Sequence, residues 1–218
     1  MAIFKKNLTS KILMKTSLEL IKKEKKINKI LEIGCGDANI TEGLIKNFKN
    51  KKFFCSDISL EAINLAKSKK NLKKCVIKHG SFFNPWKGEK FDLIICDISA
   101  ISQSTARYSD WYDGIVLRSG KDGLKNIDIV LKNIFNHLKP KGYVILPLIS
   151  LSDIKSFKKK IKNKFSKVDF LKKIEWPLPK KFNANIRSLN KLKKLSLIDF
   201  SIKFGMCIAY TYAAICKK

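Results

Sequence analysis

A chain of 218 residues with 45% hydrophobic content has enough apolar material for one buried core, and 46 Lys+Arg against 18 Asp+Glu give it a formal net charge of +28. No run approaches the roughly 20 apolar residues that cross a bilayer, and residues 1–10 lack the apolar segment and cleavage site of a signal peptide, so a cytoplasmic protein without membrane contact is expected. The six cysteines form no Cys-x-x-Cys pair and have no histidine at ligand spacing, which argues against bound metal and, in a cytoplasmic setting, against disulfides.

In chain order, residues 10–26 space Ile12, Leu13, Leu18, Leu20 and Ile21 among lysines at approximate helical intervals, with Ser10 as candidate cap. This predicts an N-terminal helix within residues 1–28, followed by one domain over 29–218. The apolar run 29–33 leads through Gly34-Cys35-Gly36 into a helical stretch, 38–48. A second run, 52–56, ends at Asp57 and passes Ser59 into a helix carrying Leu60, Ile63, Leu65 and Ala66. The third, 75–78, ends at His79-Gly80, and the fourth, 91–96, is almost uninterruptedly apolar, as buried parallel strands are. Residues 98–123 form a long polar loop around Trp111-Tyr112, of the kind that covers a site or binds a ligand. A helix over 124–138, stopping before Pro140, precedes a fifth strand at 143–149 and a basic helix at 153–165. A sixth strand at 168–176 is broken by Pro177 and Pro179, a basic connection fills 180–195, and a final strand covers 207–216. Short apolar runs alternating with amphipathic helices predict an α/β fold: a doubly wound, mostly parallel sheet with helices on both faces.

Two glycines between a strand and a helix permit a tight turn and let backbone approach a ligand. Asp57, about 20 residues further on, stands at the offset of a carboxylate that accepts hydrogen bonds from ribose hydroxyls. Strand, turn, helix, strand and acid in this order describe a nucleoside site. The third glycine of a pyrophosphate site is absent, Asp37 would repel a phosphate, and Glu32 adds a second negative charge. Acidic side chains suit a ligand with a sulfonium and an ammonium group. They disfavour a nicotinamide-dependent oxidoreductase, while a noncatalytic nucleoside-binding module stays open as an alternative.

Glu32-Ile33-Gly34-Cys35-Gly36-Asp37 resembles the first motif of class I S-adenosylmethionine-dependent methyltransferases, and Asp57 matches their ribose-binding acid. The resemblance covers about residues 29–150 and continues through the last strand, implying a Rossmann-like, seven-stranded sheet whose last strand is antiparallel. It also implies S-adenosylmethionine as cofactor. Glu32 and the backbone of Gly34, Cys35 and Gly36 would hold the methionine portion, Asp57 the ribose with Ile58 beside it, and Ser81 and Phe82 the adenine edge. Ala38 departs from the pattern where many members have a third glycine, and Ser81 where they commonly have an acid.

The end of the fourth strand, Cys96-Asp97-Ile98-Ser99, occupies the place where this family positions the acceptor. The resemblance assigns Asp97 to orient or deprotonate the acceptor while bordering the cofactor, with Ser99 and Tyr112 assisting. Release-factor glutamine methyltransferases carry Asn-Pro-Pro-Tyr there, which this chain lacks, yet residues 119–124 are similar to the Gly-Gly-x-Asp-Gly segment of that branch. A relative with an altered acceptor pocket follows, acting on a protein side chain or a small molecule. RNA methylation is the alternative, through the basic helix at 158–164 and the connection at 180–194. Against it, the basic residues are nearly all lysine, with Arg107, Arg118 and Arg187 the only arginines, and lysine, asparagine and isoleucine are abundant together, as an AT-rich genome produces. His79 and His137 have no partners that suggest a catalytic role.

Overall fold

The computed structural model describes residues 8–109 and 118–218. Lys29–Ile33 (β1), Lys52–Asp57 (β2), Val76–His79 (β3), Phe91–Cys96 (β4) and Leu138–Ile149 (β5) lie parallel in the order β3-β2-β1-β4-β5. Beyond β5 the last strand, Met206–Lys217 (β9), runs antiparallel, from Tyr143↔Lys217 to Ile149↔Thr211. On its far side β9 pairs antiparallel with Lys167–Phe170 (β6) and then Ile174–Pro177 (β7).

This is the mostly parallel, doubly wound sheet with an antiparallel final strand that the sequence predicts, enlarged from seven strands to nine among the described residues. Both additions lie along β9. The run expected as one strand at 168–176 is interrupted at residues 171–173 and becomes β6 and β7. Ser201–Lys203 (β8) folds back on β9 through a hairpin whose turn residues, Phe204 and Gly205, have φ of 50° and 72°. The fifth strand also begins earlier than expected, directly after the preceding helix, and absorbs Pro140 through a register shift between Phe91 and Leu93.

The described residues include the helices Leu8–Lys23 (α1), Asn39–Asn47 (α2), Leu60–Ser68 (α3), Gln103–Ala106 (α4), Lys125–His137 (α5), Ile154–Lys164 (α6), Lys180–Ala184 (α7) and Ile186–Lys194 (α8). Side-chain alternation splits the central strands between two cores. Leu31, Ile33, Ile94 and Val144 pack with Ile127, Val130 and Ile134 of α5 and Phe157 and Ile161 of α6. Ile30, Phe53, Leu93, Ile95 and Ile145 face the other way, onto Leu13, Leu20 and Ile21 of α1 and Ile40 and Leu44 of α2. Both faces are therefore buried, which is why these strands read as nearly continuous apolar runs.

A third core, including Ile149, Leu151, Phe182, Leu189, Ile198 and Phe200, lies past the carboxyl end of β5 and takes in Ile101 and Ala106 from the segment after β4. The stretch expected as a basic connection, 180–195, is thus two short helices, anchored by Phe182 and Leu189. None of the described helices is long and apolar enough to cross a membrane.

Candidate functional site

β1 and β4 are neighbours, but the chain leaves β1 toward β2 and β3 and leaves β4 toward β5. Such a switch point opens a crevice at the carboxyl ends of the strands. Gly34, with φ +73°, turns the chain there, and the amides of Gly34 and Cys35 both donate to the Ser56 carbonyl, at 2.9 and 3.1 Å. A Cβ at Gly34 would stand 2.6 Å from the Asp97 carbonyl oxygen, so only glycine lets the bend lie against the end of β4. At Gly36, φ +53°, a Cβ would meet nothing within 4 Å. One side of the bend is therefore packed and the other is open. Ala38 keeps the same left-handed backbone, with φ 60°, although it is not glycine.

Asp57 ties the bend to β2. Its Oδ2 accepts the Gly36 amide and its Oδ1 the Ser59 amide, each at 2.8 Å. The Asp57 carbonyl accepts the Gly80 amide at 2.9 Å, and the His79 ring Nε2 lies 2.9 Å from the Ile58 carbonyl, so the end of β3 holds this loop in place. Ile58 is 70% exposed, an apolar side chain at the rim of the crevice. In the loop after β3, Ser81 is half-buried and accepts the Asn84 amide through its carbonyl, while Phe82, with φ 46°, packs partly into the core.

The acids differ more than their spacing suggests. Glu32 is 1% exposed, and its Oε2 accepts both the backbone amide, at 2.9 Å, and the hydroxyl of Thr41 from α2. Its Oε1 is buried with no partner among the described residues. Burial pushes the Glu32 carboxyl up to about 8, against the pull of the Thr41 hydroxyl, and the nearby charges of Asp97 and Asp57 add to the rise. Asp97 accepts the Ser10 hydroxyl of α1 at 2.6 Å. Burial raises its carboxyl to about 6, the Ser10 hydrogen bond opposing and the Asp57 charge reinforcing.

Three sequence expectations are corrected here. Glu32 does not add a negative charge at the bend, because burial at 1% exposure raises its carboxyl to about 8. Asp37 does not leave an open negative charge at the bend, because Lys69 Nζ lies 2.8 Å from its Oδ2. Ser10 does not cap its helix: it lies inside α1, and its hydroxyl reaches Asp97 instead.

On the acceptor side, the Ser99 carbonyl takes the Asn126 side-chain amide at 3.3 Å. Segment 119–124 is clamped against the start of the loop: Ser119 donates to the Ile101 carbonyl, Ser102 to the Lys121 carbonyl, and the Asp153 amide to the Asp122 carbonyl. Tyr112, with Trp111 and Asp113, lies outside the described residues. The crevice thus gathers Glu32, Gly34, Cys35, Gly36, Asp57, Ile58 and Asp97 at adjoining strand ends, with Ser81, Phe82 and Ser99 on the loops that follow β3 and β4. Sequence reasoning missed Thr41 and Lys69, and read Ser10 only as a cap. Lys69 and Ser10 reach acids far away in sequence, and Thr41 meets Glu32 only because α2 packs back over the sheet, pairings that local spacing does not encode.

A family model of the methyltransferase domain matches residues 24–196. The bifunctional methyltransferase of Rickettsia typhi is 33% identical over 141 residues, which cover 61% of this chain and 27% of the relative. The chain therefore spans about a quarter of the length of that relative. Among solved structures, the precorrin-6y C5,15-methyltransferase of Geobacter metallireducens superposes with a TM-score of 0.56 at 10% identity, covering 99% of this chain and 92% of that one. The ribosomal protein L11 methylase of Lactobacillus delbrueckii subsp. bulgaricus gives 0.56 at 14% identity over 98% and 81%. At such identities the likeness is one of fold.

Proposed function

As the chain belongs to the methyltransferase domain family, we propose that it transfers a methyl group from S-adenosylmethionine held at the Gly34–Gly36 bend to a nucleophile presented beside Asp97. The observation that carries this reading is the Asp57 carboxylate, locked onto the Gly36 and Ser59 amides beside the open volume over Gly36. A carboxylate so placed suits the paired hydroxyls of a ribose, and the space where a Gly36 Cβ would stand, with no described atom within 4 Å, leaves room for a ligand against bare backbone. Exposed Ile58 supplies an apolar surface for a purine, edged by Ser81 and Phe82. The buried Oε1 of Glu32 has no partner among the described residues; a bridging water would satisfy it, as would an ammonium group once the carboxyl gives up its proton.

The donor, when bound, supplies an activated methyl group on a good leaving group, so the protein's task is alignment and exclusion of water. Gly34, Cys35 and Gly36 present backbone to the ligand, and Asp57 fixes its sugar. Asp97 orients the acceptor through its carboxylate and, once ionised above about pH 6, takes the proton the acceptor loses. Ser99 and Tyr112 assist from the loop after β4. The acceptor is a protein side chain or a small molecule, a reading supported by the similarity of residues 119–124 to a protein-modifying branch.

Titration calorimetry tests the donor. S-adenosylmethionine should bind and nicotinamide dinucleotides should not, and Asp57→Ala should weaken binding by about 10- to 100-fold, the worth of hydrogen bonds to a charged group. Equal binding by that variant would sink the assignment. Incubating cellular fractions with isotopically labelled donor and locating the label by mass spectrometry identifies the acceptor, and label found only in RNA would overturn the protein or small-molecule assignment.

A further inference from the structure

α1 precedes β1 in the chain, so its carboxyl end sits at the amino edge of the sheet and its first turn returns to the carboxyl edge, where the crevice opens. The helix is pinned along this course. Leu13, Leu20 and Ile21 are buried against the sheet, and Met14 lies so close to α2 that a Cβ on Gly43 would stand 2.6 Å from its sulfur. The first turn therefore has a fixed position over the end of β4. There Ser10, itself 8% exposed, donates its hydroxyl to Asp97 Oδ2 at 2.6 Å, across 87 residues of sequence. Asp97 is also held by its backbone, its amide donating to the Ile33 carbonyl at 2.9 Å. With the backbone fixed from β1 and one carboxylate oxygen fixed from α1, the carboxylate is restrained at both ends.

We propose, on the reading of Asp97 as part of the methyl-transfer site, that Ser10 is a positioning residue of that site, its hydroxyl holding the Asp97 carboxylate oriented and ready to be ionised. Methyl transfer to a protonated nitrogen or oxygen ends with a proton to dispose of, and a carboxylate can accept one only from its ionised form. The charge that faces Asp97 works against that form. Asp57, on β2, is the charge that raises the Asp97 carboxyl, whereas Glu32, on β1, is itself raised to about 8 and stays neutral where Asp97 titrates. Among the described residues, the Ser10 hydroxyl is the side-chain contact that lowers the Asp97 carboxyl and so favours the negative charge there. The inference extends the site to an element outside the sheet ends and assigns a task to α1 beyond covering the core.

The test is the pH dependence of S-adenosylmethionine binding from pH 5 to 8.5, by calorimetry, for the wild type, Ser10→Ala and Ser10→Thr. In the wild type affinity should rise as Asp97 ionises. In Ser10→Ala the rise should move up by about one on the pH scale, making binding about fivefold weaker at pH 6 and nearly unchanged at pH 8.5. Ser10→Thr, which keeps the hydroxyl, should restore the wild-type profile. A loss by the same factor at every pH, or no change at any pH, would overturn the proposal and leave Ser10 a packing residue. Should Ser10→Ala lower the melting temperature too far for titration, Ser10→Cys retains the size with a much poorer donor and carries the same expectation. If the wild type bound no donor, or Asp57→Ala bound equally well, the site reading itself would fail, an outcome distinct from a normal wild type with an unshifted Ser10→Ala.

Discussion

Ala38 holds a left-handed backbone at the start of α2 with no side-chain cap, a conformation that costs an L-residue roughly 1–2 kcal/mol and a glycine almost nothing. Its place in the motif is where related enzymes often have glycine, and the bend keeps its course here despite the methyl group. Ala38→Gly should therefore be neutral to stabilising, by about 0.5–1 kcal/mol after the added flexibility of the unfolded chain, read as a raised melting temperature. Glu32 has the opposite character. Its buried carboxyl is raised from 4.5 to about 8, so the protonated form is the one the fold favours. The resulting stability is fully present below pH 4.5 and is lost as pH rises through about 8. Glu32→Gln should remove this slope, so that the wild type loses on the order of 2–4 kcal/mol relative to the variant between pH 5 and 8.5 in urea unfolding without ligand. Equal slopes would show that Glu32 is not buried as described. The glycine bend and Asp57 were legible because local order and spacing define them. The pairing of Thr41 with Glu32 and of Ser10 with Asp97 was not, since each depends on how a helix lies over the sheet.

At the scale of elements, legibility followed burial on two faces. β1, β2 and β4 announce themselves as apolar runs because helices cover both sides of them, and β4 falls at the predicted residues. Strands β6, β7 and β8 carry only partly buried or exposed residues: the first two read as a single strand at 168–176, and β8 left no signature. The 180–195 stretch was obscured differently. Its lysines dominate the composition, yet Phe182, Ile186, Leu189 and Leu192 recur at helical spacing and meet the third core. Phe182 is fully buried, whereas Phe204, at the tip of the β8–β9 hairpin, is 96% exposed. Phe182→Ala should thus cost about 3 kcal/mol or more, while Phe204→Ser should stay within about 0.5 kcal/mol, both by chemical denaturation. A similar loss at both positions would contradict the assignment of α7 to a core.

For the whole molecule, a net charge of +28 makes self-repulsion a standing opponent of folding. Raising the ionic strength from about 0.01 to 0.15 M shortens the screening length from roughly 30 to 8 Å, so the melting temperature should climb with salt in a non-binding electrolyte. A melting temperature that falls over this range would mean that attractive ion pairs, such as Lys69 with Asp37, outweigh the repulsion. The sheet as a whole also depends on β9, which pairs with β5, β6, β7 and β8 along its 12 residues. Of all these elements it is the last to be translated. While the ribosome is still working toward it, the crevice strands β1 to β5 have already emerged, and the free edge of β5 waits with nothing to pair it. A nascent chain in that state offers an adhesive margin to its neighbours, so its yield in the cell hinges on the twelve residues of β9 arriving promptly or on a chaperone guarding the gap until they do.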